Sequence, residues 1–435
     1  MMGGLLFELF WVVVLGWAIC WYVMMVLSGS GVGVFYEGSG FVSDWVVIGV
    51  VLLVGVVWVG MGGVYGAGVN VMYKFSTSYG GSVISEGGLS LLLGVMMVLV
   101  FVVDSWLSFY VVYEGSMLPL LVGVCLFGSY YERIVSVVYL LVYLVLFSVP
   151  LVLVLLVGLG NGENLLMIEE SFCWVTGWVW CLLLGSMLVK VPLWGVHSWL
   201  PKVHVEAPTW GSVVLAGVMI KMGVYGLWRV RGVGGSWVGM WDWLWLWALV
   251  GGVGACVLCF YVSDYKMLVA YSSVFHMAGV VWMGGVWVMF GWRGVLLVMM
   301  MHGVVSGALF MLAGGMSELG ESRSLALLGG LVDFLSVGGL LVVVGMVLNV
   351  GFPVSGNMVA ELEVVLGVMG LWSWGWVVFG VMMFMAGLFN MFVLVSLFSV
   401  GDVRKDVELG SGLVIGMGIM EMVSVAGLLV VGVVF

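Results

Sequence analysis

Residues 190–229 read KVPLWGVHSWLPKVHVEAPTWGSVVLAGVMIKMGVYGLWR, an apolar run in which Lys190, Pro192, His197, Pro201 and Lys221 stand out. A proline inside a helix removes a backbone hydrogen bond and kinks or breaks it. Inside a bilayer, backbone groups freed in that way are tolerated only within protein or along a watery cavity. Lys221 sits in mid-run, too deep for its stem to carry the ammonium to an interface. The stretch therefore predicts a broken membrane helix followed by an intact one, each carrying a buried cation.

The rest of the chain agrees. Of 435 residues, 64% are hydrophobic and 8% charged, with a mean hydropathy of +1.30. A soluble chain is about 25% charged, so a soluble domain, a disordered chain and a nucleic-acid binder are excluded. A membrane-spanning helix needs about 20 apolar residues. The apolar runs predict thirteen spans, near 5–27, 45–66, 88–103, 106–127, 134–157, 171–201, 207–228, 239–261, 267–288, 294–315, 328–371, 375–399 and 412–434. Two are longer than a straight helix requires: 171–201, with Lys190 and the two prolines, and 328–371, with Gly351-Phe352-Pro353 and Gly356-Asn357. Two broken helices in one chain suggest an ion or substrate path. The fold class expected is an all-α polytopic membrane protein.

The net charge of −10 says little about partners, because most charges fall in connections. The basic ones set orientation. Lys74, Arg133, Lys202, Lys266, Arg323, Arg404 and Lys405 collect on one side, Arg229, Arg231 and Arg293 on the other. This places the first group, with the N-terminus, inside and the C-terminus outside. No basic residue precedes Lys74, so the first residues resemble neither a secretory signal nor a transit peptide. Gln is absent while Val, Gly, Trp and Met abound, the imprint of a G- and T-rich coding strand and a hint of an organellar gene. Cys256-x-x-Cys259, in an apolar run, reads as two small hydrophobes rather than a metal or redox site.

Subtracting loop charges leaves Glu114, Lys190, Lys221 and Glu361 inside apolar spans, with His197, His276 and His302. Each ionised group at mid-helix costs about 2.5–3.5 kcal/mol, roughly 10 kcal/mol together, so each needs a partner or a wet cavity. A carboxylate beside a buried lysine favours the ammonium and burial disfavours it, so a small change in their geometry moves a proton. A lone membrane histidine is ordinarily a packed core residue. Beside two buried lysines, His276 and His302 read instead as a proton relay, with Ser272, Ser273 and Ser306 able to hold water and Glu361 as terminal acid. Glu363, two residues on, faces elsewhere.

These residues lie in long motifs. H-x-W-L-P-x-x-H-x-E-A-P (197–208) and G-S-x-x-L-A-x-x-x-x-K-x-G-x-Y-G (211–226) are followed by DYKMLVAYSSVFHMAG (264–279), MHGVVSGALFMLAG (301–314) and FPVSGNMVAELEVVLG (352–367), and preceded by YEGSMLP (113–119). Over 88–400 the chain resembles the antiporter-like membrane subunits of respiratory complex I, the subunit-4 branch above all. The resemblance implies two inverted five-helix repeats, each with a broken helix, in a family that usually has fourteen helices. It implies that Glu114 pairs with Lys190, that Lys221 is the central lysine, that His276 and His302 link onward, and that Glu361 is the exit-side charge. It also implies no cofactor on this chain, with NADH, FMN, iron–sulfur clusters and ubiquinone handled by other subunits.

Three regions are expected: divergent N-terminal helices at 1–87, the proton-translocating core at 88–400, and a C-terminal loop and last helix at 401–435. Partners expected are the antiporter-like subunits 2 and 5 and lipids such as cardiolipin, with no nucleic acid, in the mitochondrial inner membrane. A stand-alone cation/proton antiporter complex is the alternative assembly. A scaffold whose charges only hold helices in register is the blandest reading, and the full acid–lysine–histidine set weighs against it.

Overall fold

The computed structural model describes residues 53–58, 60–61, 86–103, 105–128, 131–160, 177–233, 238–284, 289–330, 332, 336–352, 355–369, 375–399, 418 and 421. The spans expected at 5–27, most of 45–66 and nearly all of 412–434 lie outside them, as do Pro353 and most of the terminal regions.

The described chain is helical, as its apolar runs require. Helix α1 spans Glu86–Val102, α2 Trp106–Gly115, α3 Met117–Phe127 and α4 Arg133–Gly160. The expected span 106–127 is thus two helices meeting at Ser116, together long enough to cross a membrane. The first broken helix is α5, Gly177–Lys190, an unwound turn over 191–198, and α6, Trp199–Glu206. Helix α7, Thr209–Val214, passes through a π-turn at Leu215–Met219 into α8, Ile220–Val233. Helices α9, Val238–Tyr261, α10, Tyr265–Gly284, and α11, Met289–Leu319, follow. The second broken helix is α12, Ser336–Val350, and α13, Gly356–Met369, and α14 covers Gly375–Phe398.

Both breaks fall where Gly, Pro and Asn interrupt the sequence. At the first, the turn closes on itself: Val196 N–H donates to Leu193 O at 3.0 Å and Leu200 N–H to His197 O at 3.0 Å. Gly195 takes φ +96° there, a left-handed conformation that favours glycine. Trp199 Nε1 donates to Val189 O at 3.0 Å, stitching α6 back onto the end of α5.

Among the described residues, five stretches are long and apolar enough to cross a membrane; two are mostly buried, two mostly exposed, and Trp106–Phe127 lies between at 50% buried. Thr209–Val230 is 89% buried and Gly294–Leu319 78%, whereas Arg133–Gly158 and Val377–Phe398 are 33% buried. The outer helices show Leu141, Val145, Leu146, Leu153 and Phe384, apolar side chains that suit lipid and not water. The inner helices α8, α10, α11 and α13 hold Lys221, His276, His302 and Glu361, while Glu114 lies on α2 and Lys190 at the end of α5. Helix α11 packs along α13, α10 and α7, so one helix touches most of the charged set.

Two lysines assigned above to loops are placed differently. Lys266 is the second residue of α10 and only 6% exposed. Lys202 lies within α6, its ammonium 3.3 Å from the centre of the Tyr139 ring. Helix ends carry polar residues as connections do, so hydropathy alone cannot separate them.

Candidate functional site

Glu114 closes α2, and Lys190 closes α5. Helices α2 and α3 meet at Ser116, whose Oγ donates to Tyr113 O at 2.8 Å. Lys190 docks there: its Nζ donates to Tyr113 O at 2.6 Å, lies 3.5 Å from Glu114 Oε1 and sits 3.1 Å from the centre of the Tyr113 ring. Lys190 is 1% exposed. The expected acid–lysine pair is therefore formed, with a carbonyl and an aromatic face added to it.

Lys221, fully buried, follows the π-turn. A π-turn widens the helix and is frequent at functional sites. The Lys221 ammonium folds back onto the carbonyl of Ala216 within the turn, and Ser306 Oγ donates to the same oxygen at 3.5 Å. Helices α7 and α11 come this close because glycines face each other: a Cβ on Gly303 would lie 2.8 Å from Gly217 O. Helix α8 meets α5 in the same way, since a Cβ on Gly223 would lie 3.1 Å from Met187 O. The ends of the two lysine-bearing helices are thus packed directly against each other.

From Lys221 the chain of polar groups runs through histidine. His276 on α10 and His302 on α11 have ring centres 4.7 Å apart and are 7% and 1% exposed. The charge of Lys221 acts on both rings, and on His204. Beyond His276 lies a cavity of about 20 Å³ lined by Phe275, His276, Val298, Glu361, Phe379 and Met382. That is room for a water molecule, and His276 and Glu361 on α13 are the two titratable residues in its lining. Glu361 in turn rests against Gly351 at the second break.

Gly351 has φ +78°, and a Cβ there would run into the Glu361 carboxyl. Gly351→Ala is expected to destabilise the break by about 2–5 kcal/mol, from the left-handed backbone and the overpacking together. It would also displace Glu361, and a lowered thermal midpoint would register the change.

The structure brings Glu114 to Lys190 and His276 to His302; the charge of Lys221 acts on both rings, and Glu361 shares a cavity lining with His276. His197 stands apart in the first unwound turn, stacked on Trp194 at 4.7 Å. His204 lies in the stretch 202–206 between the expected spans 171–201 and 207–228, and so goes unmarked as an intramembrane residue. It is fully buried, stacked on Phe310 at 4.0 Å, and both ring nitrogens lack hydrogen-bond partners among the described residues. The charges of Lys221 and Lys266 both act on it. Two residues on, Glu206 pairs with Arg323 at 3.0 Å. The spacing His197-x6-His204 was the available signal.

Residues 103–389 match the family described as NADH:quinone oxidoreductase/Mrp antiporter, transmembrane. The chain is 37% identical over 292 residues to NADH-ubiquinone oxidoreductase chain 4 of Branchiostoma lanceolatum, covering 64% of this chain and 62% of that one. It is 35% identical over 293 residues to chain 4 of Ceratitis capitata, covering 65% of each. The matched part thus spans somewhat less than two thirds of these curated relatives. Among solved structures, the fold is similar to a chain of respiratory complex I from Thermus thermophilus with bound NADH, at TM-score 0.73 and 19% identity over 88% of this chain and 79% of that one. It is similar also to a chain of the Mrp complex from Dietzia sp. DQ12-45-1b, at TM-score 0.81 and 14% identity over 99% and 90%.

Proposed function

Because this chain belongs to the NADH:quinone oxidoreductase/Mrp antiporter transmembrane family, we propose that it is a proton-translocating membrane-arm subunit of NADH:ubiquinone oxidoreductase. The observation that carries this reading is the series in which half-buried Glu114 on α2 pairs with buried Lys190, followed by the buried Lys221, His276–His302 and Glu361. A lysine that exchanges a proton with a neighbour changes the field on the next group, and in a medium of low dielectric that field is strong. Protons then move stepwise: Lys190 is charged while Glu114 stands beside it, Lys221 passes its proton to the histidine pair, and water in the cavity carries it from His276 to Glu361. Redox chemistry on other subunits supplies the energy, so electron carriers and ubiquinone belong to them and this chain binds no cofactor.

On this reading the partners are the other membrane-arm subunits, the antiporter-like subunits 2 and 5 foremost, with cardiolipin among the lipids. The location is the mitochondrial inner membrane. The second reading, a subunit of a stand-alone cation/proton antiporter, draws on the likeness in fold to the Mrp chain, whereas identities of 35–37% to chain 4 of NADH-ubiquinone oxidoreductase favour the first. Electrophoresis of membranes in mild detergent separates them. The chain is expected to comigrate with NADH dehydrogenase activity, and migration in a complex lacking that activity would support the antiporter.

A further inference from the structure

The second break holds three amides that the series above does not use. Asn349 is the penultimate residue of α12, Asn357 the second of α13, and Asn390 lies in mid-α14. They are 1%, 4% and 1% exposed. Amide side chains are seldom buried this deeply, and three at one break in a membrane are too costly to be fillers unless their hydrogen-bonding groups are used.

Their donors are used. Asn357 Nδ2 donates to Leu348 O at 2.9 Å, an orphan carbonyl at the end of α12 that also accepts Gly351 N–H at 3.3 Å. Asn349 Nδ2 donates to Asn390 Oδ1 at 3.2 Å, and Asn390 Nδ2 to Ala386 O at 2.9 Å. These bonds fix the broken end of α12 between α13 and α14. The acceptors are another matter: Asn349 Oδ1 and Asn357 Oδ1 are buried and have no hydrogen-bond partner among the described residues. A buried acceptor without a donor costs about 1–3 kcal/mol.

Position supplies the reason. Asn357 and Glu361 are four residues apart and share one face of α13. Both meet the same end of α12: Asn357 holds the carbonyl of Leu348, and Glu361 rests on Gly351. Asn349 adjoins Leu348 in the chain and reaches α14. Four polar side chains thus gather around the end of α12, Glu361 and Asn357 on α13 and Asn349 bonded to Asn390 on α14, and the two open acceptors among them call for a small hydrogen-bond donor.

We propose that Asn349, Asn357 and Asn390 form a water-holding site in the second break, in which Asn349 Oδ1 and Asn357 Oδ1 accept from ordered water and extend the polar chain from Glu361 to α14. The inference rests on the proton-transfer reading for its purpose, but the hydration of the site stands or falls separately. Asn357 acts here as a positioning residue for water, not as a group that itself takes the proton.

The test is a cryo-electron-microscopy map of the assembled complex, at a resolution that shows other buried waters, combined with turnover of two variants. Water density within hydrogen-bonding distance of Asn349 Oδ1 and Asn357 Oδ1 is expected. Asn357→Leu is expected to remove it and to lower coupled proton transfer several-fold with a larger solvent deuterium effect. Asn357→Ser, which leaves room and a hydroxyl for water, is expected to restore both. A wild-type map with neither water overturns the proposal even if Asn357→Leu fails to assemble. So does a variant that keeps its turnover after losing the water. Loss of the proton-transfer reading would show in pumping alone and leave the water density unchanged.

Discussion

Replacing Glu114 by alanine is expected to uncouple proton transfer while the chain still assembles. Lys190 is 1% exposed, and a buried ion pair that loses one partner is destabilised by about 3–5 kcal/mol. Here part of that loss is offset, because Tyr113 O accepts from the same ammonium at 2.6 Å and the Tyr113 ring lies 3.1 Å away. The lysine keeps a berth in the fold but loses the carboxylate that decides whether it is charged. Assembled yield on a native gel should therefore fall modestly, and proton transfer per electron steeply. Glu114→Asp should recover part of the transfer. A Glu114→Ala/Lys190→Ala double variant should assemble better than the single Glu114→Ala variant, since no unpaired cation remains. Equal assembly defects in the two would show that the carboxylate acts through something other than Lys190.

The second large effect is expected at Lys221. It is fully buried, its ammonium is held by the carbonyl of Ala216 in the π-turn, and Ser306 bonds to the same oxygen. Its charge acts on His204, His276 and His302 together, so it is the junction of the series. Lys221→Ala removes the only buried cation placed to act on all three rings among the described residues. Loss of a positioned proton donor costs roughly 10²-fold or more in rate, and coupled turnover is expected to fall by that order. Assembly should persist, because an alanine in place of the lysine leaves no unpaired charge behind and the Gly217–Gly303 contact that sets the spacing of α7 and α11 is untouched. Turnover measured with and without an uncoupler separates the two effects.

Much of this was legible in the sequence because charge is the strongest signal an apolar chain can carry. Glu114, Lys190, Lys221 and Glu361 stand out against hydropathy, and Pro192 and Gly351 mark where their helices must open. The signals that failed are weaker in kind. The π-turn is spelled LAGVM, an ordinary helical string, and its Gly217 is where α11 approaches. His204 falls between two expected spans, although the fold buries it fully within the influence of the Lys221 and Lys266 charges. The amides Asn349 and Asn390 carry no charge to mark them, and their pairing at 3.2 Å joins positions 41 residues apart. Lys202 and Lys266 read as loop charges because sequence cannot fix where a helix begins, whereas the structure places both inside helices.

The central claim is that the buried charges carry protons and do more than hold helices in register, and Lys221→Arg tests it most directly. Arginine keeps a cation at the site but does not release its proton under physiological conditions, so a register-holding role survives the change and a relay role does not. Proton-to-electron stoichiometry of the assembled variant, reconstituted in sealed vesicles, is the measurement. The relay predicts a complex that assembles and pumps fewer protons per electron than the wild type. A wild-type ratio in the assembled Lys221→Arg variant would contradict it.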